Sequence, residues 1–215
     1  MGQMYKAFES LNIQTKLHAS GRTDSGVHAF KQVMHCEVPE FWSDINKLHK
    51  HLQAKLPSSI YLRQIHKADE NFHARYSTRK RAYRYIICDK EPNPFESDLI
   101  TFIPHVLDIK KIKEAIALFE GEHDFGYFKK SGGASGSDIR TIYKARVYIY
   151  KDKTVLYFEA NGFLRSQIRL MVAFLLKISE GKLNKKQLQE QISHRNKYNN
   201  RPAPPNGLYL SNIIY

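Results

Sequence analysis

The densest run of chemically capable residues is Gly21-Arg22-Thr23-Asp24-Ser25-Gly26-Val27-His28. Two glycines bracket a carboxylate, a guanidinium and two hydroxyls. Glycine lets a backbone turn sharply and approach a ligand closely, so Asp24 is predicted to stand displayed on a loop. An aspartate so placed either attacks or accepts a proton, or it caps its own turn. Residue types alone leave both roles open.

Two further clusters bear on that carboxylate. Phe72-His73-Ala74-Arg75-Tyr76 leads into Arg81-Ala82-Tyr83-Arg84-Tyr85. Strand alternation puts Tyr83 and Tyr85 on one side and Arg84 on the other. A tyrosine ring can stack on a nucleobase and its hydroxyl can join a proton relay; an aromatic core face explains the pattern equally well. In Asn161-Gly162-Phe163-Leu164-Arg165-Ser166-Gln167-Ile168-Arg169 a strand gives way to an apolar helix. Arg165 and Arg169 are spaced to share a helical face, where an arginine either snorkels or holds a buried carboxylate ionised.

Other chemistries find less support. His18, His28 and His35 lack the His-Glu-x-x-His or paired-cysteine spacing of a metal site. The Ser131–Ser137 loop lacks a Gly-Lys-Ser/Thr ending, and no dinucleotide glycine pattern follows a strand. No metal and no cofactor is expected. A metal-dependent nuclease built on Asp24, His28 and Asp138 is the competing hydrolytic reading.

The elements that must position these residues follow from periodicity and punctuation. The first ten residues read as the tail of a helix with Met4, Phe8 and Leu11 on one stripe. Ser43-Asp44 is placed to cap a helix carrying Ile45, Leu48, Leu52 and Leu56, ended by Pro57. Asp108 caps another with Ile109, Ile112, Ile116 and Phe119. Leu164, Ile168, Met171, Val172, Leu175 and Leu176 make a strong stripe, and Asn184 with Gln187 forms a capping box. Strands are predicted over residues 13–18, 32–38, 60–66, 81–88, 142–150, 154–160 and 208–215, with a hairpin at Lys151-Asp152-Lys153. Pro92, Pro94 and Pro104 break up the middle of the chain.

At 215 residues, 42% hydrophobic and 26% charged, the composition is that of a globular chain. No apolar run approaches the ~20 residues that span a bilayer. Two cysteines, Cys36 and Cys88, cannot build a disulfide scaffold, so a reducing, cytoplasmic setting is expected. The net charge of +13 favours a polyanionic partner. Thirteen Tyr and twelve Phe among the cations suit looped RNA, through phosphate neutralisation and base stacking.

Taken in order, these segments resemble the TruA-type tRNA pseudouridine synthases. Ala19 to His28 is similar to that family's signature loop, and Phe72-His73-Ala74-Arg75 with Tyr83-Arg84-Tyr85 to its second motif. Glu120-Gly121-Glu122-His123-Asp124-Phe125, Ala160-Asn161-Gly162-Phe163 with Arg169, and Pro204-Pro205-Asn206-Gly207-Leu208-Tyr209-Leu210 complete the set. The resemblance runs from about Met4 to Tyr215. Arg165-Ser166-Gln167 departs from it, since many relatives carry His-His-Met there, and so does Asn196–Asn200.

The resemblance implies an α+β fold of two similar α/β halves with mixed, largely antiparallel sheets flanked by helices. The halves are expected over residues 1–70, with the aspartate loop, and 71–215, completing the cleft. It implies isomerisation of uridine to pseudouridine at positions 38–40 of the tRNA anticodon stem-loop, without cofactor. Asp24 would be the nucleophile and Arg22 would hold the flipped-out nucleotide. Tyr83 would stack on the base, Arg169 would pair with Asp24, and Leu208 would pack against the base. The family is homodimeric, with an RNA cleft that uses both subunits. Its members begin with a strand that precedes the first helix, whereas this sequence opens inside that helix. The alternative expectation is therefore a tRNA-binding relative that is catalytically silent for want of that strand.

Overall fold

The structure, a computed structural model, describes residues 2–90, 93–132 and 136–215. Pro92 and the centre of the Ser131–Ser137 loop lie outside the described residues. In chain order the helices are α1 (Gly2–Glu9), α2 (Ile45–Lys55), α3 (Ile109–Ile116), α4 (Gln167–Ser179) and α5 (Lys185–Ile192). The strands are β1 (His18–Ala19), β2 (His28–Ala29), β3 (Met34–His35), β4 (Lys80–Cys88), β5 (Thr101–Phe102), β6 (Gly121–Asp124), β7 (Ile139–Tyr150), β8 (Lys153–Ala160) and β9 (Leu208–Ile214). None of these helices is long and apolar enough to cross a membrane.

Contacts divide the chain into two compact units, one of Met1–Gly21 and Val33–Ser77, the other of Arg22–Gln32 and Thr78–Tyr215. The aspartate loop, expected with the N-terminal half, thus groups with the second unit. The second unit holds a seven-stranded mixed sheet in the order β2-β9-β4-β8-β7-β6, with β5 also paired to β4. β4 runs antiparallel to both β8 and β9, whereas β2 runs parallel to β9 and β5 parallel to β4. β7 and β8 form the predicted hairpin, with Lys151 in the left-handed region at φ 54°. One sheet face, with Tyr85, Ile87, Leu156 and Phe158, packs on Ile112, Ile116, Phe119, Met171 and Phe174.

The helices of this unit start where the caps predict. The Asp108 carboxylate accepts from the Lys111 N–H, and Asn184 and Gln187 form the reciprocal box. α4 begins only at Gln167, because Ser166 takes a left-handed conformation (φ 57°, ψ 14°). Leu164 and Arg165 therefore precede the helix. Arg165 does not share a face with Arg169, and its Nη1 donates instead to the Ser131 carbonyl at 3.0 Å.

The first unit has its own core, in which Met4, Ala7 and Phe8 meet Ile13, Leu17, Trp42, Leu48 and Leu52. Asp44 caps α2 by accepting from the Asn46 and Lys47 N–H groups, both at 3.0 Å. Among the described residues its sheet is β1 paired antiparallel to β3. The strand predicted over residues 60–66 does not form. Leu62 N–H donates to Gln53 Oε1 at 2.7 Å and Leu62 C=O is 2.8 Å from His49 Nε2, so side chains of α2 satisfy this backbone where a neighbouring strand would have.

The same register sets His18 opposite His35, their rings stacked at 4.8 Å, with His73 edge-on to both. Spacings of 17 and 38 residues gave no motif, so His73 was not foreseen in this group. The three rings offer atoms within 4.8 Å of one another. However, His35 Nδ1 accepts from Ala74 N–H, and His73 Nδ1 from Arg75 and Tyr76 N–H. In a neutral ring the proton then sits on Nε2, which leaves no free lone pair there for a metal. Burial first, then the charges of His73 and His18, hold the His35 pKa below its ordinary 6.5. Its folded-state value lies under the unfolded one, so the stability it contributes is present above 6.5 and is lost as pH falls through the lowered value. The thermal midpoint is expected to drop between about pH 8 and pH 5. His18→Phe, which keeps a ring without its charge, should shrink that drop; an unchanged pH dependence in the variant would show that the trio is not responsible.

Candidate active site

Asp24 sits in a turn closed by Val27 N–H donating to the Asp24 carbonyl at 3.1 Å. Gly26 makes the turn with φ +77°, and a Cβ there would meet Pro205 Cγ at 2.9 Å. Both its backbone angle and its closeness to the proline-rich stretch require glycine. Immediately after the turn, β2 joins the sheet beside β9, and Phe30 N–H donates to the Leu210 carbonyl at 2.8 Å. The Tyr209 ring stacks between His28 and Phe30, each at 4.8 Å. The loop is thus tied to the sheet within a few residues of the carboxylate.

The Asp24 carboxylate meets two donors. Arg169 Nη1 and Ser166 Oγ both reach Oδ2 at 2.8 Å. The ion pair is half-buried, with side-chain exposures of 15% for Arg169 and 31% for Asp24. A charge-assisted bond in that setting is stronger than a solvated surface pair, and removing either partner leaves a charge partly stripped of water. The guanidinium is itself fixed, since Nε donates to the Ala203 carbonyl at 2.7 Å and Ala203 N–H returns a bond to the Arg169 carbonyl.

A buried amide pair holds the segment that supplies Ala203. Gln191 Oε1 accepts from Tyr198 and Asn199 N–H, while its Nε2 donates to the Asn199 and Tyr127 carbonyls. Asn199 donates onward to the Leu170 and Arg201 carbonyls and accepts from Lys177. With both residues buried, this network fixes an otherwise irregular run. The departure at Asn196–Asn200 therefore has a structural role.

Tyr83 lies half-buried on β4, edge-on to Phe163 at a centroid distance of 5.3 Å. The β4–β9 register shifts between Ala82 and Tyr83, skipping Ser211, a local irregularity of the kind that re-aims a side chain. Burial pushes the Tyr83 phenol up to about 12; Arg81 opposes this and the charge of Asp24 adds to it. That influence ties Tyr83 to the field of the carboxylate, and the phenol stays protonated near neutrality. Tyr85, on the same side, is wholly buried, and its hydroxyl bonds Thr101 and the Pro204 carbonyl.

Arg22 is exposed two residues before Asp24, and Leu208 is buried in the core at the start of β9. Gly207, just before it, runs so close to β4 that a Cβ would meet the Ile86 carbonyl oxygen at 2.6 Å. The nuclease trio is not assembled. His28 Nε2 bonds the Asp98 carbonyl, Asp138 pairs with Lys129, and Asp24 pairs with Arg169. Sequence reasoning missed Ser166 and the Ala203 carbonyl. The sole advance signal was that Arg165-Ser166-Gln167 departs from the pattern that the resemblance implies. Exposed aromatics also carry cations above them, with Lys80 over Tyr143 at 4.9 Å and Lys151 over Tyr150 at 5.8 Å.

The family description "tRNA pseudouridine synthase" matches residues 3–77 and 115–215. The chain belongs to this family. Its reaction class is isomerisation, the conversion of uridine to pseudouridine in tRNA. Among curated relatives, tRNA pseudouridine synthase A of Campylobacter jejuni (strain RM1221) is 41% identical over 209 residues, covering 97% of this chain and 87% of the relative. The Wolinella succinogenes protein of that name is 38% identical, covering 99% and 83%. A Bacillus cereus tRNA pseudouridine synthase A 1 is 36% identical, covering 93% and 81%.

In this synthase the Asp24 turn depends on Gly26. Gly26→Ala is expected to cost about 1–3 kcal/mol of stability through backbone strain and the Pro205 clash, and to lower turnover by displacing the carboxylate. Urea denaturation and initial rates check this. A variant as stable and as fast as the parent would mean the turn tolerates a side chain.

Proposed function

We propose that this chain isomerises uridine to pseudouridine at positions 38–40 of the tRNA anticodon stem-loop, with Asp24 as nucleophile and no cofactor or metal. The observation that carries the reading is the half-buried Arg169–Asp24 ion pair. Arg169 gives the Asp24 carboxylate a charged, directional partner, and attack on the nucleotide uses that carboxylate. The bond from C1′ to N1 breaks, the uracil turns, and C1′ joins C5. The C5 proton leaves to solvent and N1 ends protonated.

The remaining groups take binding roles. The target base must leave its stack, and Tyr83 offers an aromatic wall against which it lies. The protonated phenol is a hydrogen-bond donor toward the base or the carboxylate. Arg22, exposed next to Asp24, holds the flipped nucleotide through its phosphate, and Leu208 packs behind the base. Net charge of +13 and the cation–aromatic pairs supply phosphate and stacking contacts, so tRNA binding weakens as salt rises. We extend the proposal to residues 1–70 and 71–215 as two α/β halves, to a homodimer of about twice 25.1 kDa, and to a cytoplasmic enzyme.

Tritium release from C5-labelled uridine in unmodified tRNA tests this directly. Wild-type release should persist in chelator, and Asp24→Ala and Asp24→Asn should fall to the uncatalysed background while still binding tRNA. Release that survives in Asp24→Ala removes Asp24 as nucleophile. Binding without any wild-type release would establish the silent relative instead.

A further inference from the structure

We infer that Ser166 is a positioning residue for Asp24, one that fixes which carboxylate oxygen faces the substrate; this rests on the reading of Asp24 as nucleophile. Three observations meet at this serine. It occupies the N-cap position of α4, where a serine hydroxyl ordinarily accepts from the second or third N–H of the helix. Here it makes no such bond, and Oγ donates instead to Asp24 Oδ2 at 2.8 Å, across 142 residues of sequence. Its backbone is left-handed (φ 57°, ψ 14°), a conformation that non-glycine residues adopt at a cost and that accumulates at functional sites.

The geometry of the carboxylate gives this bond its consequence. Arg169 Nη1 and Ser166 Oγ converge on the same oxygen, Oδ2, and among the described residues no donor reaches Oδ1. One donor would leave the carboxylate free to swing about its Cβ–Cγ bond, whereas two on one oxygen hold its plane. Oδ2 is thereby engaged and Oδ1 is presented as the attacking atom. Arg169 supplies the charge, and Ser166 supplies the orientation. Attack depends on near-ideal placement of the reacting atoms, so loss of orientation acts on turnover rather than on RNA affinity.

Three variants test this. Ser166→Ala removes the hydroxyl and keeps the strained backbone. Ser166→Gly removes both, and Ser166→Asn suits the left-handed backbone while restoring an N–H donor. Both Ala and Gly are expected to lose about tenfold or more in kcat, the order of one hydrogen bond to a charged group, with KM for tRNA unchanged. Asn should recover part of the loss. Gly should be at least as heat-stable as the parent, which a merely structural serine would not allow together with lost turnover. Full kcat in Ser166→Gly, or a loss seen only in KM, overturns the inference. Asp24→Ala, measured alongside, separates the claims. An active Asp24→Ala variant overturns the nucleophile assignment, whereas an inactive one beside a fully active Ser166→Gly overturns the Ser166 role alone.

Discussion

A carboxylate half withdrawn from water needs hydrogen-bond donors facing it, and in this chain that requirement binds three distant stretches together. Asp24 comes from a glycine-bracketed turn, Ser166 and Arg169 from the entry to α4, and Ala203 from an irregular run before β9. Each is held from behind. Gly26 lets the turn approach Pro205, the left-handed Ser166 aims its hydroxyl, and Gln191 with Asn199 pins the run that anchors the guanidinium. The ion pair is the visible end of a longer chain of buried hydrogen bonds.

The sheet serves the same constraint. β2 and β4 flank β9, so the sheet brings the strand that follows the aspartate loop close to the strand that carries Tyr83. The shift at Ala82/Tyr83 and the stacking of Tyr209 between His28 and Phe30 belong to this neighbourhood. Helices α3 and α4 cover the apolar face and make a rigid base. Precision at a site of this kind comes from regular elements behind it rather than from the loop itself.

The first unit works by different rules. Its described sheet is a single short pair, and its backbone needs are met by side chains such as Gln53 and His49. Three imidazoles sit together there, His18 stacked on His35 and His73 edge-on to both. The second unit centres on an ion pair, and the first on a cluster of rings.

Much of this was legible from local sequence. Asp108 and Asn184 cap the helices their positions predict, Asp44 of the Ser43-Asp44 pair caps α2, and the apolar stripes of α2, α3 and α4 face their cores, because capping and helical period are settled within a few neighbouring residues. The Asp24–Arg169 pair was implied by motif resemblance, while residue type by itself left Arg169 open between snorkelling and pairing. What the sequence did not yield depends on contacts between segments far apart in the chain. The extended 60–66 run, the start of α4 at Gln167 and the arrival of His73 beside His18 and His35 are of that kind. So is the choice of Oδ2 by both donors, because a hydrogen bond depends on tenths of an ångström and tens of degrees, and those are fixed only when the whole core has closed around it.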